Sequence, residues 1–204
     1  MLRRIVALRD RGIHHLAGTR PAVWYIADRQ AGGVLVNAPP WSDALHQALC
    51  LLAKPAYLFL PSRRGAKDLE RWRAAGLEVL ASEAEAAVLG GGVDLPLYAG
   101  RKLTREIDFL PMSGVTAGSC ALRVKTNGGA IFFGPVLEPG ADGWPTLVPH
   151  ADDHAPENRV IGALGVQDLR FEYAFTDTFT EGATQVGPGA GEAVKERLRR
   201  FIEG

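Results

Sequence analysis

Histidine, cysteine and methionine are scarce in this chain: five, two and two among 204 residues. Two cysteines, Cys50 and Cys120, supply neither a disulfide framework nor a zinc cluster, which fits a reducing cytoplasm. Charge of one sign is lacking too, since 23 Lys and Arg stand against 23 Asp and Glu. That balance argues against broad electrostatic capture of nucleic acid or anionic membrane, which needs a basic face. No apolar run approaches the roughly 18 residues needed to span a bilayer. The run that opens at Met1 is broken by charges before Asp10, too early for a secretory signal. The expectation is a soluble cytoplasmic protein with neither nucleic acid nor membrane as partner. What is present is ordinary globular material, 47% hydrophobic and 23% charged. A chain of this length makes its own core, and we expect one domain over residues 1–204.

The first third reads as short strands: Ile5 to Leu8, Ile13 to Ala17 and Ala22 to Ala27. The loop Asp28-Arg29-Gln30-Ala31-Gly32-Gly33 then leads into Val34-Leu35-Val36 as a hairpin, and Pro39-Pro40 ends that strand. Ser42 is the predicted N-cap of a helix with Leu45, Leu49 and Leu52 inward. Ala56 to Leu60 reads as a buried strand, and Asp68 to Ala75 as a helix with Leu69 and Trp72 inward and Gly76 at its end. Leu77 to Leu80 is a strand, and Ser82 to Glu85 has capping-box spacing before another helix.

The second half has a similar plan. Ser119 to Lys125 and Ala130 to Phe133 flank Thr126-Asn127-Gly128-Gly129, an Asn-Gly hairpin turn. A long Pro/Gly/Asp-rich loop covers residues 134–156, Glu157 to Leu164 is helical, and Phe171 to Thr176 is a strand. The last helix carries one apolar stripe, Val194, Leu198, Phe201 and Ile202. Strands first, then alternating strands and helices, imply an α/β protein of two sheets flanked by helices.

Most catalytic motifs are missing. No glycine-rich loop ends in Gly-Lys-Ser/Thr, and no Gly-x-Ser-x-Gly elbow exists. Gly187-Pro188-Gly189-Ala190-Gly191 misses the dinucleotide spacing and reads as a turn into the last helix. Cys50 and Cys120 read as core thiols. His14 and His15 are adjacent on a strand and point to opposite faces, so they cannot share one site. His46 is expected in solvent. Only His150-Ala151-Asp152-Asp153-His154 is dense in metal-ligating groups. Its loop setting makes a solvated polar segment the favoured reading, with a divalent-metal site as the alternative.

The order of segments carries a resemblance. Trp24-Tyr25-Ile26 through Val36-Asn37-Ala38-Pro39-Pro40, then Leu58 through Pro61-Ser62-Arg63-Arg64-Gly65-Ala66-Lys67-Asp68, Pro111 through Ser119, and Ala130 through Gly134-Pro135 follow one another over most of the chain. In this series the chain resembles the metallo-β-lactamase-fold superfamily, whose αββα sandwich has two mixed β-sheets flanked by helices. The resemblance implies an opening hairpin that commonly ends in aspartate, a strand ending in Thr-His-x-His-x-Asp-His, a Pro-Gly-His-Thr-x-Gly-Ser segment and a strand ending in Gly-Asp. Laid on that framework, the first ligand motif becomes Ser62, Arg64, Ala66 and Lys67. The later histidine becomes Val115, the bridging aspartate Pro135, and the last histidine falls near Thr178.

Valine, alanine and proline side chains have no lone pair for a metal, and arginine and lysine repel one. The resemblance therefore implies a catalytically degenerate member: the fold without its metals, non-hydrolytic, with a binding or assembly role and no cofactor. Arg63, Arg64 and Lys67, with Ser62 and Thr116, are the candidate site for a small anionic ligand; a merely solvated basic loop is the plainer reading. The alternative is a divergent hydrolase that holds zinc or another divalent metal at His150, Asp152, Asp153 and His154. A homodimer is a third reading, favoured if Trp41, Trp144 and Phe179 are exposed.

Overall fold

The fold was determined as a computed structural model, which describes residues 1–9, 11–28, 32–126 and 128–204. The turn residues Arg29, Gln30 and Ala31, the Asn127 of the Asn-Gly turn, and Asp10 lie outside the described residues. The chain separates into two compact units, Met1–Leu97 and Tyr98–Gly204.

The first unit holds a seven-stranded sheet in chain order: β1 (Leu2–Ala7), β2 (Arg11–Leu16), β3 (Val23–Asp28), β4 (Gly32–Val36), β5 (Pro55–Phe59), β6 (Glu78–Ser82) and β7 (Leu95–Leu97). Strands β1 to β4 pair antiparallel, as short connections allow. From β4 onward the pairing is parallel, because each crossover carries a helix: α1 (Asp43–Leu52), α2 (Leu69–Ala74) and α3 (Glu83–Leu89). Ser42 caps α1 by accepting from the Leu45 amide at 3.3 Å, as its sequence position predicts. Gly76 follows α2 at φ +94°, the left-handed turn that only glycine adopts without strain.

Leu49 of α1 and Trp72 of α2 pack with Tyr25, Leu35, Leu58 and Val79 of the sheet. The opposite strand faces, Trp24, Ile26, Val34, Phe59 and Leu80, are also buried, so the central strands read as continuous apolar runs. Two inward assignments on α1 are corrected. Leu52 is exposed, and so is Cys50, which was expected in the core. One turn of α1 faces the sheet at Leu49, and Cys50 lies about 100° round from it.

The second unit holds a four-stranded sheet in the order β13-β10-β9-β8, made of β8 (Ile107–Pro111), β9 (Cys120–Val124), β10 (Ala130–Gly134) and β13 (Tyr173–Thr176). Strands β8, β9 and β10 are antiparallel, while β13 joins β10 in parallel after helix α4 (Pro156–Leu164). Both sheets are thus mixed, as expected. The 134–156 segment is not all loop, since β11 (Glu138–Pro139) and β12 (Pro145–Thr146) pair within it. Helix α5 (Ala190–Glu203) buries Val194 and Leu198 with Ala163 of α4 against Ile131, Phe133 and Ala174. Its stripe stops there: Phe201 and Ile202 are exposed. Among the described residues no helix is long and apolar enough to cross a membrane.

Candidate functional site

Within the first unit, the loop after β5 is pinned from beneath. The side chain of Ser62 is fully buried, and its Oγ accepts from the Arg64 amide at 3.3 Å to open a single 3-10 turn, Arg63–Gly65. Gly65 lies flat on Asn37, where a Cβ would come 1.9 Å from Asn37 Oδ1. The Ala38 amide donates to the Gly65 carbonyl at 2.8 Å. Asn37 itself adopts φ +65°, which asparagine tolerates better than most residues, and its Nδ2 donates to the Ala22 carbonyl at 2.9 Å. A neutral amide therefore joins the neck of the hairpin to the loop where the resemblance places the first ligand motif.

The three cations of this loop do not converge. The Arg63 amide donates to Glu85 Oε2 at 2.8 Å, and its guanidinium lies 3.5 Å from Glu85 Oε1. Glu85 is completely buried; Ser82 Oγ accepts from its amide at 3.3 Å. Lys67 Nζ donates to the Arg20 carbonyl at 3.0 Å. Arg64 is exposed. Glu85 was legible only as a capping-box residue. That its carboxylate anchors the turn at Arg63 depends on two segments meeting in space.

Thr116 belongs to the second unit. It is buried, and its Oγ1 has no hydrogen-bond partner. The surrounding turn closes on itself through Ser119, whose Oγ donates to the Met112 carbonyl at 2.9 Å and accepts from the Thr116 amide at 3.4 Å. Gly114, at φ +142°, lies against α4, and a Cβ there would meet the Arg159 backbone at 2.4 Å. Val115 and Pro135 are both buried.

The His150–His154 segment is organised by Arg159, a residue sequence reasoning passed over. Its guanidinium is 1% exposed. Nη1 donates to Asp153 Oδ2 at 2.8 Å and Oδ1 at 3.0 Å, Nε to the Val136 carbonyl at 2.9 Å, and Nη2 to the Pro135 carbonyl at 3.2 Å and Glu138 Oε1 at 3.3 Å. Burial of Asp153 opposes its ionised form, but the His150 amide and Arg159 outweigh that and hold its carboxyl below the usual range. His150 Nε2 lies 2.5 Å from Glu138 Oε1. Asp152 and His154 are exposed. The pattern is a buried ion pair with a rim, and among the described residues no three His, Cys, Asp or Glu side chains gather as a metal site.

The other flagged residues are scattered. Cys120 is buried in β9 while Cys50 lies 3.7 Å from His46 Nε2. His46 is half-buried, with its ring 5.3 Å from that of Trp41 between centroids. His14 and His15 occupy alternate faces of β2, and both are buried; His15 packs on Trp24 at 4.9 Å between ring centroids. Trp41, Trp144 and Phe179 are all half-buried.

The strand orders, the helices and the loops at these positions define a metallo-β-lactamase fold. Solved structures bear this out over both units. The chain is similar to a metallo-β-lactamase from Pontibacter korlensis with TM-score 0.70 and 14% identity, covering 100% of this chain and 98% of that one. A subclass B3 metallo-β-lactamase of Bradyrhizobium japonicum matches with TM-score 0.65, 14% identity and coverages of 97% and 91%. A Cronobacter sakazakii metallo-β-lactamase described by its HARLDQ motif matches with TM-score 0.66, 13% identity and coverages of 94% and 90%. No protein-family model and no curated protein matches the chain. At these identities the likeness is one of fold.

Proposed function

We propose that the chain is a non-hydrolytic protein of the metallo-β-lactamase fold that works by binding or assembly. The observation that carries this reading is the chemistry at the ligand positions of the resembled framework. Ser62, Arg64, Ala66, Lys67, Val115 and Pro135 include no imidazole and no carboxylate. These residues do not fit a metal pair, whose role in hydrolysis is to lower the pKa of a bound water and polarise the substrate, and no hydrolytic step is derived through one. The HARLDQ motif of the Cronobacter protein makes the comparison sharper. In the register given by the resemblance, Ser62 to Lys67 read Ser-Arg-Arg-Gly-Ala-Lys and share only the arginine. The histidine and aspartate of that motif fall at Ser62 and Ala66.

The alternative site also loses its central carboxylate, because both oxygens of Asp153 face Arg159. A cation there would have to displace a guanidinium that also holds two carbonyls. As for an anion at the Ser62–Lys67 loop, Arg63 and Lys67 already face Glu85 and the Arg20 carbonyl, which weakens that reading. Elemental analysis of the full chain, purified without a histidine tag and then equilibrated with zinc, tests the proposal. The expected result is far less than one tightly held metal per chain, unaffected by His150→Ala. Stoichiometric metal that is lost in His150→Ala or His154→Ala would overturn it in favour of the hydrolase.

A further inference from the structure

A pocket of about 290 Å3 opens in the first unit, lined in part by Arg4, Arg9, Arg11, Gly12 and His14. Strand register places it at the end where Arg11 of β2 pairs with Asp28 of β3, and Asp28 with Gly32 of β4. Strands β4 and β5 begin at that end and finish at the other, where the Ser62 loop leaves. The pocket is therefore at the opposite end of the sheet from the ligand positions of the resembled framework.

Its chemistry is one-sided. Arg11 is ion-paired with the buried Asp28, which cancels its charge. Arg4 and Arg9 are exposed, and no carboxylate is among the described lining residues. Arg4 pairs across the ladder with His14, next to a register shift between Arg4 and Val6, and such bulges re-aim the neighbouring side chain.

In the same lining, His14 is 7% exposed, and its Nδ1 has no partner of hydrogen-bonding geometry. Its ring covers Gly12, where a Cβ would come within 2.7 Å of Cε1, so the glycine makes room for the imidazole. Burial, joined by the Arg4 charge, lowers the His14 pKa, while the Tyr25 and Gly12 backbones pull the other way. A buried imidazole nitrogen without a partner, in a lining shared with two exposed arginines, suits an oxyanion. Guanidinium forks match phosphate oxygens in pairs.

We propose that this pocket binds a small phosphate-bearing molecule, with Arg4 and Arg9 holding the oxyanion at the rim and His14 meeting it from below. The inference is independent of the proposed function, since it uses none of the framework positions. The test titrates the full chain with inorganic phosphate at constant ionic strength, balanced with chloride, while the His14 imidazole resonances are followed by NMR. We expect a saturable shift and an upward move in the His14 titration, because a bound anion favours the imidazolium. Arg4→Gln/Arg9→Gln should weaken binding by about tenfold or more. Arg170→Gln, which removes an exposed charge elsewhere, should leave it unchanged. Both arginines of the pair are at the surface, and equal unfolding midpoints for variant and wild type check that the fold is intact. An unsaturable response, an equal response to chloride, or a double variant that binds as wild type overturns the proposal. Should the double variant misfold, Gly12→Ala, which crowds the His14 ring, must weaken binding; undiminished binding there overturns it.

Discussion

Replacing Asp153 by asparagine measures how firmly the would-be metal carboxylate is committed to the fold. Asp153 and Arg159 side chains are each 1% exposed, at 2.8 Å from nitrogen to oxygen. An exposed pair of this kind would be worth about 0–1 kcal/mol. Removing one partner of a buried pair costs about 3–5 kcal/mol, because the other charge is left without compensation. Asparagine keeps the volume, yet it turns an amide toward the guanidinium and surrenders the charge that neutralises it. We therefore expect Asp153→Asn to lose about 3–5 kcal/mol at neutral pH. Arg159→Met should lose more, because the Val136 and Pro135 carbonyls are also left without a donor, at about 1–3 kcal/mol each.

Urea unfolding followed by tryptophan fluorescence reads both variants, since Trp144 packs against the core of this unit. Acid supplies a second check. The folded-state pKa of Asp153 is depressed, so its contribution is complete above the unfolded value of about 3.9. It is lost as pH falls through the folded value, and the gap between wild type and Asp153→Asn must narrow below about pH 4. A penalty under about 1 kcal/mol, or a gap that stays constant into acid, refutes the reasoning and returns Asp153 to the pool of candidate ligands.

Gly65→Ala should destabilise the first unit by about 1–3 kcal/mol through crowding, since its Cβ would come 1.9 Å from Asn37 Oδ1. Asn37→Gly in the same chain should restore part of the loss, as glycine accepts φ +65° there; equal stability of Gly65→Ala and wild type in urea would contradict the contact. Thiol titration of the native protein with an aromatic disulfide should modify Cys50 promptly and Cys120 only on unfolding, given that the first is exposed and the second buried. Two fast thiols, or none, would place α1 or β9 differently.

How much of this was legible in the sequence depended on how local each cause was. The Ser42 cap, the Gly76 turn and the inward Trp72 depend on neighbours within one helix, and all three read correctly. Cys50 failed because a helix stripe read from leucines gives a direction but not its width, and on α1 only Leu49 is fully buried while Leu45 packs part-buried beside it. Strand β7, Leu95-Pro96-Leu97, is too short for a periodic signal and exists because β6 offers it an edge. Strand β8 does alternate, with Ile107 and Phe109 buried, but over a run too short to stand out by its period. Arg159 was invisible for a deeper reason. Arginine in a helix reads as a solvent residue, and its burial follows from two carbonyls and a carboxylate that a distant segment brings to it.

The same distinction separates the positions that hold a framework from those that would hold a ligand. Gly114 is required by a backbone contact with Arg159 and by φ +142°. Ser119 closes its turn through Met112 and Thr116, and Gly65 is required by Asn37. None of these demands involves a metal, so Gly114 and Ser119, which carry the resemblance, report chain geometry, as Gly65 does beside them. Metal chemistry makes the opposite demand, on side-chain lone pairs at positions where the backbone accepts almost any residue. The two kinds of position are therefore free to diverge. Likeness at the first kind fixes the fold, and only the second kind bears on the reaction. At the positions that the resemblance aligns with ligands, this chain has serine, arginine, alanine, lysine, valine and proline, while the buried cation of the second unit, Arg159, is supplied by the chain itself.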